Sequence, residues 1–167
     1  MVLETGSRLP DATLLKIGDK GPEPVSLGER LKGRKVVLFA LPGAFTGTCT
    51  TAHVPSFMRN MDALKARGVD AVICVSVNDP FVMKAWGETT GALAAGIEFL
   101  ADADGSFTRS VGMDFTAPAA GFIGRSRRYA LLAEDGIVTI FQPEEGPGVC
   151  DLSSGEAMLE AMDKEPA

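Results

Sequence analysis

Two short, continuous apolar runs stand out along the chain, at Lys35–Ala40 and at residues 71–77. Runs of this length without polar alternation are typical of strands buried on both faces of a sheet. A helix is predicted between them over residues 49–67, ending before Gly68, with a kink at Pro55 because proline lacks an amide hydrogen. Two strands joined by a helix predict a parallel βαβ unit.

The second half of the chain predicts a different order of elements. Asp135-Gly136 between two apolar runs is a strong hairpin signal, and Ser153 followed by Glu156 forms a capping box. Pro80 fits the first turn of a helix, where proline is tolerated. The predicted elements are a helix at 80–86, a short strand at 96–100, a short helix at 104–111, strands at 128–133 and 137–141, and a last helix reaching residue 162.

The order is therefore βαβ, a middle α/β insertion, and then ββα. A parallel pair followed by an antiparallel hairpin and a final helix is the thioredoxin-like arrangement. We expect an α/β protein with a central mixed sheet flanked by helices, an N-terminal extension and the middle insertion. The 167 residues contain no linker or repeat, so residues 1–167 are predicted to form one domain.

The amino-acid composition limits the kinds of partner that the protein is expected to bind. The net charge of −6 argues against nucleic acid, because proteins that bind phosphate backbones carry a basic excess. No apolar run approaches the length needed to span a bilayer, and the first residues lack the pattern of a secretory signal. We expect a cytoplasmic protein that binds neither nucleic acid nor membrane.

The three cysteines, Cys49, Cys74 and Cys150, are too few for a disulfide framework. The chain has no C-x-x-C pair, which weighs against a dithiol reductase and a zinc ribbon. Its one histidine, His53, lies four residues after Cys49, and two ligands do not make a metal site. We therefore expect no metal.

Cys49 stands where the loop after a buried strand enters a helix. The free N–H groups and positive dipole of a helix N-terminus favour a thiolate, which is the reactive form of cysteine. The preceding loop contains a proline, two glycines and two threonines, which shape the backbone tightly around one thiol. These residues predict a reactive Cys49, while a buried structural cysteine remains the alternative.

Residues 41–57 resemble the active-site motif of the peroxiredoxins. The family pattern Pro-x-x-x-Thr-x-x-Cys falls on Pro42, Thr46 and Cys49, and residues 75–83 and 125–131 also match in order. The similarity is to the type II, peroxiredoxin 5-like branch of the AhpC/TSA superfamily and extends from about Leu9 to Met162. Gly47 departs from it, since that branch usually has proline there, and this is expected to loosen the loop.

The resemblance implies a thiol-dependent peroxidase for hydrogen peroxide and organic hydroperoxides, serving antioxidant defence without a cofactor. Cys49 would be oxidised to a sulfenic acid, with Pro42 shielding it and Thr46 and Arg128 contacting both sulfur and peroxide. The backbone N–H groups of Thr48 and Cys49 would add donors. A capping role for Thr46 and a surface salt bridge for Arg128 are the alternatives.

Further expectations concern residues close to Cys49 and Arg128 in the sequence or in the expected site. Arg125 and Arg127 are predicted to lie at the surface. The resemblance suggests a structural or pocket-edge role for His53 rather than a general base. An apolar rim of Phe45, Phe122 and Ile123 would admit organic hydroperoxides.

The fate of oxidised Cys49 is left open between an external thiol and an internal one. We expect recycling by glutaredoxin and glutathione, or by thioredoxin. Cys74, 25 residues after Cys49, and Cys150, in a glycine-rich loop, are the candidate resolving residues. The resemblance further implies a homodimer. The competing function is a peroxide sensor that passes its oxidation to a partner protein.

Overall fold

A computed structural model of the protein describes residues 1–164. Seven strands form one mixed sheet. In order across this sheet they are β2 (Gly21–Ser26), β1 (Thr13–Gly18), β5 (Glu98–Ala101), β4 (Ala71–Ser76), β3 (Lys35–Ala40), β8 (Tyr129–Glu134) and β9 (Ile137–Pro143). Two further strands, β6 (Asp114–Ala117) and β7 (Phe122–Ser126), pair antiparallel in a small separate sheet.

The helices are short, and they connect or flank the strands. They are α1 (Leu27–Leu31), α2 (Val54–Met58), α3 (Met61–Ala66), α4 (Pro80–Thr90), α5 (Ser106–Ser110) and α6 (Gly155–Lys164). A π-helical turn, Cys49–His53, precedes α2 directly. None of the helices in residues 1–164 is long and apolar enough to cross a membrane.

The centre of the sheet confirms the predicted thioredoxin-like arrangement. Strands β3, β4 and β5 run parallel, and β8 pairs antiparallel with β3. Strand β3 is buried on both faces. Val37 and Phe39 belong to one apolar cluster, and Val36 and Leu38 belong to another. This two-sided burial explains why the β3 sequence is a continuous apolar run rather than an alternating one.

The prediction of one helix over residues 49–67 is wrong. The segment is divided into the π-helical turn, α2 and α3, with a break at residues 59–60 between the two α-helices. The Val54 amide bonds to the Cys49 carbonyl, five residues back, instead of four. Pro55 lies in the first turn of α2, where its missing amide hydrogen costs nothing. One irregularity, the π-helical turn, therefore precedes the proline, and the break at residues 59–60 follows it.

Other element boundaries differ in smaller ways. Helix α4 continues past residue 86 to Thr90 and ends at Gly91, whose φ of 78° is left-handed. The prediction of a capping box from Ser153 to Glu156 is wrong: Ser154 caps the helix by accepting the Ala157 amide hydrogen, and position 157 has no carboxylate to return the bond. The hairpin turn is confirmed: Asp135 and Gly136 both have positive φ, as a tight two-residue turn requires. Strands β1, β2, β6 and β7 and helix α1 were not predicted individually.

Candidate active site

The fold brings Cys49 and Arg128 together at one edge of the sheet. Ala40 ends β3 and pairs with Tyr129, the first residue of the antiparallel strand β8. The loop that leaves β3 and the residue that precedes β8 therefore lie at the same edge. Arg128 Nη2 donates a hydrogen bond to Cys49 Sγ over 3.0 Å. Cys49 is only 1% exposed.

Arg128 is almost completely buried, which is unusual for a guanidinium. It also donates to the Pro147 carbonyl over 2.9 Å and to His53 Nδ1 over 2.8 Å. None of the ion pairs within residues 1–164 involves it. A buried charge without a counter-charge is costly. Of its hydrogen-bond partners, Cys49 is the one whose side chain can carry negative charge.

His53 is neutral in this arrangement, and the hydrogen bonds fix its tautomer. A guanidinium can only donate, so Nδ1 must accept from Arg128, and Nε2 carries the proton that is donated to the Ser153 carbonyl over 2.9 Å. Burial, and then the charge of Arg128, hold the pKa of His53 well below its ordinary value. The Nδ1 lone pair is occupied, so His53 is not placed to take a proton from Cys49.

The π-helical turn lets one guanidinium contact two of its residues. Cys49 and His53 are four positions apart in this turn, and both side chains face Arg128. Nη2 of Arg128 reaches Cys49 while Nη1 reaches His53. The turn is also held from outside, because Trp86 of α4 donates its indole N–H to Thr50 Oγ1 over 3.1 Å.

A cavity of about 230 Å³ opens beside Arg128. Its walls are Pro42, Thr46, Gly47, Thr48, Phe122, Arg128, Pro147 and Gly148. The structure thus gathers the loop residues singled out in the sequence around one opening. Thr46 Oγ1 donates to the Gly43 carbonyl over 2.7 Å, so the alternative of an N-cap is not observed. Thr48 Oγ1 donates to the Gly148 carbonyl over 3.3 Å, which ties the glycine-rich loop to the site.

Two further arginines of the 125–128 segment behave differently from each other. Arg127 is exposed, as predicted. The prediction of a surface position is wrong for Arg125, because its half-buried side chain donates from Nη1 to the Pro42 carbonyl over 3.0 Å. No local sequence signal could have indicated this contact, since the two residues meet only through the folding of the small β6–β7 sheet.

The other two cysteines occupy different environments, and all three thiols are free. Cys74 is fully buried in β4, in the same apolar cluster as Cys49. Burial, and then the nearby Cys49, raise the pKa of Cys74 well above its ordinary value. Cys150 is half-buried beside Ser153 in the loop that covers Arg128, and burial raises the pKa of Cys150 as well.

These contacts define a class of protein, in which one buried thiol faces an arginine at the edge of a thioredoxin-like sheet. The family model described as Redoxin matches residues 4–159. The chain is 47% identical over 164 residues to "Peroxiredoxin-2E-2, chloroplastic" of Oryza sativa subsp. japonica, covering 96% of this chain and 72% of that protein. It therefore belongs to the Redoxin family, within which it is a type II peroxiredoxin.

Solved structures agree with this assignment. Reduced Prx3 of Vibrio vulnificus in complex with H2O2 superposes with a TM-score of 0.88 at 45% identity, covering 96% of this chain and 99% of that one. Peroxiredoxin 5 of Alvinella pompejana superposes with a TM-score of 0.83 at 31% identity, covering 98% and 99%. The protein is accordingly a thiol-dependent peroxidase with the peroxiredoxin fold.

Proposed function

We propose that Cys49 is the residue that reduces the peroxide, and that Pro42, Thr46, Thr48 and Arg128 form the binding site around it. The observation that carries this assignment is the 3.0 Å hydrogen bond from Arg128 Nη2 to Cys49 Sγ, made by a buried guanidinium. Cys74 and Cys150 have no such donor among their hydrogen bonds in residues 1–164. Cys49 is therefore the thiol best placed to react.

The proposed step is a displacement at oxygen. The Cys49 thiolate attacks the terminal oxygen of a hydroperoxide, a sulfur–oxygen bond forms and the oxygen–oxygen bond breaks. Cys49 becomes a sulfenic acid, and the departing hydroxide or alkoxide takes a proton from water. Arg128 holds its donors in a fixed fork and stabilises the charge that develops on the departing oxygen.

We further propose that both hydrogen peroxide and organic hydroperoxides are substrates. Phe122 forms part of the cavity wall, while Phe45 is 52% exposed and Ile123 is 65% exposed. Phe122 therefore supplies the apolar wall that a hydrophobic substituent would contact, whereas Phe45 and Ile123 are exposed but are not among the wall residues of the cavity. The peroxide group itself would be bound by Thr46, by Arg128 and by the backbone N–H groups of Thr48 and Cys49.

Thr46 offers a direct test of the binding site. Thr46→Ser keeps the hydroxyl that bonds to Gly43 and faces the cavity, whereas Thr46→Val keeps the shape and removes it. The hydroxyl donates its proton to Gly43 and can accept a hydrogen bond from the peroxide O–H. We expect serine to retain most of the rate of peroxide reduction and valine to lose about 10²–10³ of it, the scale of losing one positioned hydrogen-bonding group. Single-turnover oxidation of the two variants measures the difference. Equal rates in the two variants would mean that Thr46 contributes only packing.

For recycling we propose an external thiol, with glutaredoxin and glutathione as the leading pair and thioredoxin as the alternative. Cys74 is fully buried, and its strand continues for two more residues before the edge where Cys49 lies. A disulfide needs Cα atoms within about 7 Å. Pairing with Cys74 would therefore require the π-helical turn to unwind. Cys150 would need its loop to release Arg128 and Thr48.

The recycling route can be read from intact mass. After one equivalent of peroxide and an excess of glutathione, we expect one glutathione adduct per chain, on Cys49. Cys74→Ser and Cys150→Ser are the matched controls and should give the same adduct. Rapid, complete loss of two hydrogens in the wild-type protein, abolished by one of these substitutions, would contradict the external route and identify the resolving residue.

The remaining proposals concern assembly and location. We propose a homodimer, as the family resemblance implies, since Phe45 and Phe81 leave apolar surface for a second copy to cover. We propose a cytoplasmic location, although the similar rice protein is named chloroplastic.

A further inference from the structure

The small β6–β7 sheet reaches into the active site through one side chain. Arg125, on β7, donates from Nη1 to the Pro42 carbonyl over 3.0 Å. Pro42 is the first wall residue of the cavity and begins the loop that leads to Cys49. The contact joins residues 83 positions apart, so it couples two separate parts of the fold.

Gly43 makes room for this contact. A Cβ atom built on Gly43 would overlap Arg125 Nη1 and would touch the Thr46 methyl group at 3.4 Å. The φ of Gly43 is not in the left-handed region, so conformational freedom does not explain the glycine. Its lack of a side chain lets the guanidinium lie directly against the loop backbone.

The loop backbone is fixed at three successive residues. The Pro42 carbonyl accepts from Arg125, the Gly43 carbonyl accepts from Thr46 Oγ1, and the Ala44 amide donates to Asn78 Oδ1 over 3.0 Å. The Thr46 bond lies within the loop, and Asn78 follows the central strand β4. Of these three hydrogen bonds, the one from Arg125 comes from the β6–β7 sheet.

Strand β7 also contributes to the cavity itself. Phe122 lines it, and the Arg125 guanidinium lies 5.8 Å from the centroid of the Phe122 ring, within the range of a cation–π contact. One strand therefore supplies both a hydrogen bond to the loop and a wall residue of the cavity. A shift of Arg125 would move the loop that carries Thr46, another wall residue of the same cavity.

From these contacts we propose that Arg125 is a positioning residue for peroxide reduction, acting through Pro42 and the loop that carries Thr46. This proposal rests on the assignment of Cys49 as the reacting thiol. Arg125 acts on geometry, whereas Arg128 contacts the sulfur itself. Loss of Arg125 should therefore slow the reaction with peroxide while the fraction of Cys49 in the thiolate form stays the same.

The test compares Arg125→Met with Arg127→Met. Both remove one positive charge from neighbouring positions, but Arg127 is exposed, and none of the side-chain hydrogen bonds within residues 1–164 joins it to the loop. The rate constant for oxidation by hydrogen peroxide is normalised to the folded fraction, which circular dichroism measures, so that partly unfolded protein does not count. We expect a loss of about ten- to a hundredfold in Arg125→Met, the scale of a misplacement near 1 Å. Arg127→Met should stay within twofold of wild type.

Gly43→Ala tests the same contact from the loop side. The added methyl group should displace Arg125 and lower the rate on its own. In the Arg125→Met background there is no guanidinium to displace, so Gly43→Ala should then change the rate by less than twofold. This non-additivity is expected of residues in direct contact, and it remains measurable even if Arg125→Met is less stable.

The outcomes are distinct. A rate within twofold of wild type in Arg125→Met, an equal loss in Arg127→Met, or additive effects with Gly43→Ala would each overturn the proposal. A parallel fall in thiolate absorbance would overturn it too, since the effect would then be electrostatic. Absence of a reaction between wild-type Cys49 and peroxide would instead refute the proposed function.

Discussion

Cys49→Ser is expected to reduce peroxide turnover to the uncatalysed background while the fold is retained. A serine hydroxyl is not ionised near neutral pH and does not attack a peroxide oxygen, so no sulfenic acid can form. The loss should be about 10⁴-fold or more, as for removal of a nucleophile in other enzymes. Serine is close to cysteine in size, so the buried site is preserved. Peroxide consumption with an excess of thiol measures the effect, and circular dichroism checks the fold.

Cys150→Ser is the matched control for this experiment. It makes the same chemical change in the loop that covers the site, yet it should leave the first oxidation step at the wild-type rate. Substantial turnover by Cys49→Ser would refute the proposed mechanism. The wild-type protein should consume many equivalents of peroxide per chain, whereas a sensor would consume about one before it needed its partner.

Arg128→Met is expected to have the second-largest effect. It removes the one charged donor to the Cys49 sulfur that residues 1–164 supply, so both the thiolate fraction at neutral pH and the rate of attack should fall. The rate should drop by about 10³-fold, since one group both favours the thiolate and stabilises the developing charge. Stopped-flow oxidation gives the rate, and the ultraviolet absorbance of the thiolate gives the fraction.

Two further variants, compared with Arg128→Met, show which part of its effect comes from the contact with the sulfur and which from the charge alone. Arg127→Met removes a charge nearby without touching the sulfur and should change neither quantity. Arg128→Lys keeps the charge but loses the fork that reaches both Cys49 and His53, so it should recover only part of the rate. If Arg128→Met left the absorbance and the rate unchanged, the buried guanidinium would have only a structural role.

The parts of the fold that the sequence predicts are those with strong local signals. Strands β3 and β4 are continuous apolar runs because both of their faces are buried, and Asp135-Gly136 encodes its turn through positive φ. The strands of the small β6–β7 sheet are mostly half-buried and lack a strong pattern. Their pairing depends on the rest of the fold, so the sequence does not predict it.

The active site likewise contains features that the sequence predicts and features that it does not. The position of Cys49 after a buried strand is a local feature, so its reactivity could be inferred from the residues alone. Arg128 lies 79 positions away, and its role was implied by the family resemblance rather than by any pattern. The π-helical turn and the hydrogen bond from Arg125 to the Pro42 carbonyl depend on tertiary contacts, so the sequence does not predict them. The choice between Ser153 and Ser154 as the N-cap of α6 also depends on a tertiary contact. Either serine could cap the helix, but Ser153 donates to Glu144, and Ser154 makes the capping bond.

The contact between Trp86 and Thr50 gives the protein a built-in optical reporter. Trp86 is the only tryptophan in the chain, and its indole N–H is bonded to the turn that begins at Cys49. Its fluorescence therefore arises from one place, beside the turn that carries Cys49. Any unwinding of the turn during oxidation or recycling would break that bond and change the emission. The catalytic cycle could thus be followed in the unlabelled protein, in real time, without a dye.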